Sequence, residues 1–219
     1  MWLFRSSGRK QLRTGRFDAS KGRWDYADPA TLPAYAEAIS CVTFNVWFGE
    51  RCFEERFLAL MALHEQRRPD VIALQEVTTP FLAGLRATPW IRRDYTLSDF
   101  MGSTLSSYGV ALLSRLPVES MALHDLPTRM DRKLLLGYLL VNDTRLAVAT
   151  VHMESLVDSA PWRARQLEQI FKTLEGERNV ILMGDFNFCS SWDEEQACLD
   201  RQYTDVWPAL HADKPGYTA

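Results

Sequence analysis

From residue 40 onward, short apolar runs alternate with stretches whose apolar residues recur at helical spacing. Ser40–Trp47 (SCVTFNVW) and Asp70–Val77 (DVIALQEV) predict two buried strands. Between them, Phe53, Phe57, Leu60, Met61 and His64 fall on one face of a helix over 54–66, which Pro69 stops. A short helix over 79–87 follows, ended by Pro89, and then a strand over 110–114 closed by Pro117. Leu134–Val141 and Arg145–Val151 flank Asn142-Asp143, the pattern of a β-hairpin with a tight turn. Pro161 opens a helix whose apolar face is Leu167, Ile170, Phe171 and Leu174. A strand over 179–183 and a weaker helix over 193–200 complete the series. Strands come as hairpins with helices inserted, not in regular alternation, which predicts an α+β layered fold with a sheet covered by helices.

Length and composition narrow this picture. A chain of 219 residues with 47% hydrophobic and 24% charged residues suits one globular domain, or one with an extension, and excludes a disordered or low-complexity protein. No run of 18 apolar residues marks a transmembrane helix. Cys41, Cys52, Cys189 and Cys198 form no C-x-x-C pair, which argues against zinc and for reduced thiols. The expected location is therefore cytoplasmic, or nuclear in a eukaryote, and not secreted; a monomer is expected.

The net charge of −3 is unevenly spread. Residues 1–23 hold seven basic residues, from Arg5 to Arg23, against Asp18 alone, a local balance of +6. A transit peptide or a phosphate-contacting arm fits this stretch, but a solvated tail over 1–37 is the expectation.

The chemically informative residues sit where apolar strands stop. Asn45 follows Val42–Phe44, Glu76 follows Val71–Gln75, His152 follows Leu146–Val151, and Asp185 and Asn187 follow Val180–Gly184. Each alone has an ordinary reading: a surface carboxylate, a satisfied core histidine, a Gly-Asp turn. Four strands ending this way predict one polar pocket at a common sheet edge, because an unpaired carboxylate in a core is costly. The set fits metal-assisted phosphate ester cleavage. Mg²⁺ takes one or two carboxylates and keeps several waters; Glu76 suits that role, with Asn45 as a neutral oxygen donor. Asp185 suits a general base on water, Asn187 a holder of that water, and His152 a donor to the phosphoryl group as charge builds.

These residues lie in motifs that resemble the endonuclease/exonuclease/phosphatase superfamily: Thr43-Phe44-Asn45, Leu74-Gln75-Glu76, His152-Met153-Glu154-Ser155 and Gly184-Asp185-Phe186-Asn187. Ser107–Leu113, Thr128–Leu135 and the helix carrying Arg163, Arg165, Gln166 and Leu167 resemble the superfamily's tyrosyl-DNA phosphodiesterase branch. The resemblance spans residues 38–219. It implies a two-sheet β-sandwich flanked by helices, four layers in the manner of DNase I. It implies Mg²⁺, with Mn²⁺ an alternative, held by Asn45 and Glu76. Water would be activated by Asp185 and Asn187, and the scissile phosphate met by His152 and Ser155. Tyr108 and Arg132 would contact the substrate, a phosphodiester, with DNA the implied example and no membrane involved. The family's late Asp-Arg strand and Ser-Asp-His motif are absent, and Phe188-Cys189 stands where that branch carries arginine. The domain is thus expected to be incomplete at its C-terminus, with its last strands missing. Two other readings stay open: a phosphatase or phosphodiesterase on a small molecule or lipid headgroup, and a catalytically impaired, non-catalytic relative.

Overall fold

A computed structural model describes residues 8–214 and 216. In chain order its elements are β1 (Arg9–Leu12), β2 (Gly15–Asp18), β3 (Arg23–Tyr26), β4 (Cys41–Asn45), α1 (Phe53–Arg67), β5 (Val71–Val77), α2 (Thr79–Ala87), α3 (Pro89–Asp94), β6 (Thr96–Leu97), β7 (Gly109–Ser114), β8 (Val118–Asp125), β9 (Lys133–Val141), β10 (Thr144–His152), α4 (Ala160–Leu174), β11 (Val180–Asp185), α5 (Asp193–Gln196) and α6 (Val206–Leu210). The strands form two mixed sheets. One has the order β1-β8-β9-β10-β11, the other β3-β2-β6-β7-β5-β4. The fold is α+β, two sheets packed face to face with helices outside them.

Period-two alternation explains the layers. In β5, Val71 and Ala73 face the other sheet, while Ile72 and Leu74 face α1, α2 and α3. In β10, Leu146 and Val148 face β5 and β7, while Ala147, Ala149 and Val151 pack on α4. These strands are buried on both faces, so they read as continuous apolar runs. On α4, Leu167, Ile170 and Leu174 fall at helical spacing and bury almost fully. Each such side chain contributes ~1.5–3 kcal/mol relative to exposure. The hairpin turn at Asn142-Asp143 has φ of 49° and 58°, the left-handed pair that a two-residue turn requires.

The N-terminal stretch departs from expectation. Where a solvated tail is expected, residues 9–26 form three strands: β1 pairs with β8, and β2 pairs with β3 and β6. Several of their basic residues are held: the Arg13 guanidinium lies 3.5 Å from the Tyr26 ring centre, and Lys21 bridges Asp18 and Asp25 at 2.9 and 3.1 Å. Trp24 donates to the Arg86 carbonyl at 3.0 Å, and Trp90 is buried. Pro89 ends one helix and also opens α3, because Pro is compatible with a first helical position. The helix expected over 193–200 shortens to Asp193–Gln196. Trp2, Arg5 and Tyr217–Ala219 lie outside the described residues.

Candidate active site

The apolar layer between the sheets turns polar toward one end. Gln75 on β5 donates to Thr43 on β4 at 3.1 Å and to Thr150 on β10 at 3.0 Å. This buried bridge ties the two sheets together beneath the site. The next residues along these strands are the candidates. Asn45 continues the Thr43 face, His152 continues the Thr150 face, and Asp185 pairs beside His152 across the parallel β10–β11 ladder.

Glu76 reaches the same place by a different route. Simple alternation would send it to the helical face. Instead β5 carries one extra residue against β7 between Leu74 and Val77, and Glu76 has φ 59°. This bulge returns Val77 to the core and aims Glu76 into the pocket. A left-handed conformation at a non-glycine residue costs ~1–3 kcal/mol. Two hydrogen bonds offset it: Glu76 Oε2 accepts from the Phe48 N–H at 2.9 Å, and Oε1 accepts from Asn45 Nδ2 at 3.0 Å.

Asn45 joins the carboxylates. Its Nδ2 also donates to Asp185 Oδ2 at 2.8 Å, while its Oδ1 accepts from the Trp47 N–H at 2.9 Å. His152 Nε2 lies 3.8 Å from Glu76 Oε1 and 3.6 Å from Asp185 Oδ2. Behind it, Arg132 Nη1 donates to His152 Nδ1 at 2.7 Å, and Nη2 donates to Ser155 Oγ at 2.8 Å. A guanidinium can only donate, so Nδ1 accepts and the neutral ring carries its proton on Nε2. Burial, then the adjacent Arg132 charge, push the His152 pKa down to about 4. The ring is therefore a neutral donor aimed at the two carboxylates.

The other candidates lie around this centre. The Asn187 N–H donates to Asp185 Oδ1 at 3.1 Å, and its Nδ2 to the Met153 carbonyl at 3.0 Å. Tyr108 lies 6.3 Å from His152, and its ring stacks on Phe48 at 4.9 Å and 4°. Asn45, Glu76, Tyr108, Arg132, His152, Ser155, Asp185 and Asn187 thus occupy one site. Lys133, grouped with Arg132 in the sequence, does not: it bridges Asp125 and Asp131 at 2.9 Å each.

The sequence reading misses Phe48 altogether and gives Glu154, named within its motif, no role. Phe48 holds Glu76 through its backbone; the signal was the exposed-aromatic run after Asn45. Glu154, fully buried, gathers the neighbouring loop. It accepts from Thr128 Oγ1 at 2.7 Å and the Arg129 N–H at 2.8 Å.

The Endonuclease/Exonuclease/phosphatase family profile matches residues 42–218, a span that contains all eight site residues. The chain belongs to this family. Among curated members, tyrosyl-DNA phosphodiesterase 2 of Gallus gallus is 28% identical over 149 residues, covering 65% of this chain and 39% of its own length. The Mus musculus protein is 26% identical over 192 residues, covering 84% and 50%. The chain thus spans half or less of these curated relatives. Among solved folds, D. rerio tyrosyl-DNA phosphodiesterase 2 complexed with a single-strand DNA product matches with a TM-score of 0.70 and 22% identity over 80% of this chain and 71% of its own. Sphingomyelinase C from Streptomyces griseocarneus matches at 0.61 and 20%, covering 74% and 69%.

Membership in this family raises the question of a cation. Among the described residues, no group of three or more His, Cys, Asp or Glu closes into a metal cage. The pocket instead offers the Glu76 and Asp185 carboxylates, facing each other across Asn45, with side chains 12% and 29% exposed. One or two carboxylates opening on solvent are the donor set that Mg²⁺ takes, water filling its other positions. In this arrangement Asn45 presents its amide N–H₂ to the carboxylates, and its oxygen is engaged by Trp47. Among the described residues no helix is long and apolar enough to cross a membrane.

Proposed function

We propose that the chain is a divalent-cation-dependent phosphodiesterase whose site is built on Glu76, Asp185 and His152. The observation that carries this reading is their convergence from three strands of two sheets around Asn45. Two carboxylates set against each other need a positive partner, and a cation with a phosphate group supplies the complement. Glu76 would hold Mg²⁺ or Mn²⁺, which would supply Lewis acidity at the phosphate oxygens, while Asn45, its N–H₂ turned to the carboxylates, would fix Glu76 and Asp185 in place and not bind the ion.

The chain's own residues supply the rest. Asp185 takes the proton of an attacking water, and the Asn187 N–H fixes the carboxylate for that task. The His152 Nε2–H donates to a phosphate oxygen as charge develops. Arg132 holds His152 in the donating tautomer. It also occupies the Ser155 oxygen as acceptor, which leaves the Ser155 hydroxyl proton free for the phosphate. Tyr108, stacked on Phe48, walls the pocket and offers a face to a planar substituent.

The test is hydrolysis of thymidine 5′-monophosphate p-nitrophenyl ester with and without Mg²⁺. The wild type is expected to turn over only with the cation. Glu76→Gln, through loss of a cation ligand, and Asp185→Asn, through loss of the general base, are each expected to lower kcat about 100-fold or more. Equal rates for wild type and both variants overturn the assignment.

A further inference from the structure

Beside the site stands an aromatic ring approached by two cations that have no salt-bridge partner among the described residues. Trp162 lies in the first turn of α4. The Arg129 guanidinium is 5.0 Å from its ring centre and the Arg165 guanidinium 5.5 Å. Trp162 and Arg165 are three apart on one helix face, and Arg129 comes from the loop before β9. Both arginines are exposed and the ring is half-exposed. Among the described residues the ion-paired arginines are Arg23, Arg68, Arg93, Arg115, Arg145 and Arg163, so the charges of Arg129 and Arg165 face solvent uncompensated.

The cluster is rooted in the active-site loop. The Arg129 N–H and the Thr128 hydroxyl both bond the buried Glu154 carboxylate. Thr128 Oγ1 in turn accepts from the Arg132 N–H at 3.1 Å, and Arg132 contacts His152 and Ser155. Glu154 precedes Ser155 directly. The cluster is thus held in fixed relation to the residues assigned to the scissile phosphate, on the side of the pocket carrying α4. Tyr108 and Phe48 stand on the β5 side.

We propose that Arg129, Trp162 and Arg165 form a subsite for a single-stranded polynucleotide, engaging nucleotides away from the scissile phosphate. This rests on the phosphodiesterase reading of the neighbouring site. A nucleic-acid strand alternates phosphate anions with planar bases, and the cluster alternates cations with a planar ring. A single phosphoryl headgroup ends at His152 and Ser155 and has nothing to place here. DNA and RNA single strands share this chemistry.

The experiment is fluorescence anisotropy of labelled dT12 and U12 in EDTA, which separates binding from turnover, beside Mg²⁺-dependent hydrolysis of the thymidine p-nitrophenyl ester. Trp162→Ala is expected to weaken binding of at least one strand about 5- to 150-fold, the range of one lost base stack. Trp162→Phe, which keeps a stacking ring, should stay close to wild type. The pair Arg129→Gln/Arg165→Gln should weaken binding and flatten the log–log salt dependence by about 1.4, two phosphate contacts at about 0.7 each. Hydrolysis of the small ester should be unchanged in all three. The subsite is overturned if Trp162→Ala binds both oligomers like wild type. It is also overturned if wild type cleaves the small ester and binds neither strand, or if all variants lose small-ester hydrolysis along with binding. Strand binding with this dependence but no ester hydrolysis keeps the subsite and removes the catalytic reading.

Discussion

Replacing Glu195 with Ala should destabilise the fold by about 3 kcal/mol, through a charge buried behind the active-site loop. Arg163 and Glu195 are 0% and 1% exposed. Glu195 Oε1 accepts from Arg163 Nε at 2.7 Å and lies 2.7 Å from Nη2. The remaining guanidinium protons reach the carbonyls of Glu154, Leu156 and Val157. Breaking a buried pair by removing one partner costs about 3–5 kcal/mol. The three carbonyls still partly solvate Arg163 when Glu195 is lost, which places Glu195→Ala at the lower end. Arg163→Ala strands both the carboxylate and the carbonyls, which places it at the upper end, about 5 kcal/mol. Glu195→Gln also leaves the Arg163 charge without a counter-ion but keeps the hydrogen-bond acceptor, which makes it about 1 kcal/mol less costly than Glu195→Ala. Guanidinium unfolding followed by tryptophan fluorescence measures all three, with the slope m checked for constancy. The Tm should fall about 6–12 °C for Glu195→Ala in a chain of this size. Stability within about 0.5 kcal/mol of wild type for Glu195→Ala, or for Arg163→Ala, would refute the buried-pair argument.

Two further outcomes follow from the site. In the metal-free protein, NMR titration should find His152 changing charge near pH 4, and Arg132→Met should raise that value but leave it below 6.5, because burial remains the larger cause. The folded pKa lies below the unfolded one, so the His152 contribution is intact above pH 6.5. It is lost as pH falls from 6.5 through 4, by about 3 kcal/mol in all; an unshifted titration in Arg132→Met would contradict the Arg132 contribution. Gly184→Ala should cost about 3 kcal/mol or more and displace Asp185, since φ is 147° there and a Cβ would collide with the Val151 backbone of β10; wild-type stability in urea unfolding would contradict it.

How much of this was legible in the sequence depended on burial. Strands β5 and β10 are buried, whereas β4, where a buried strand is expected, is a largely exposed edge strand and β11 a half-buried one; all four still carry apolar runs that lead into Asn45, Glu76, His152 and Asp185, and that change from apolar to polar is visible without coordinates. The sequences RKQL, GRFD and RWDY of β1, β2 and β3 are not, because four-residue strands at a sheet edge (β1, β3) or one place in from it (β2), with few buried positions, need no apolar pattern. Strand β8 was hidden by Pro117 before it and by its mixed residues. The site's residues could be named, but not the way Glu76 enters, because a bulge leaves the local pattern unchanged and shows only in the pairing with β7. Likewise, Arg132 could be placed near a substrate, but its hold on the His152 tautomer needed the 2.7 Å contact. The Trp162 cluster joins residues 33 positions apart, a distance that spacing rules do not reach.

The most direct measurement is Mn²⁺ binding followed by electron paramagnetic resonance, comparing wild type with Glu76→Gln and with the remote control Glu119→Gln. The account predicts one saturable Mn²⁺ site in wild type and the control, displaced by excess Mg²⁺ and weakened at least about tenfold by Glu76→Gln, the loss of one ligand carboxylate. Equal Mn²⁺ affinity in all three proteins, or none in any, would contradict a cation site at the meeting point of β4, β5, β10 and β11.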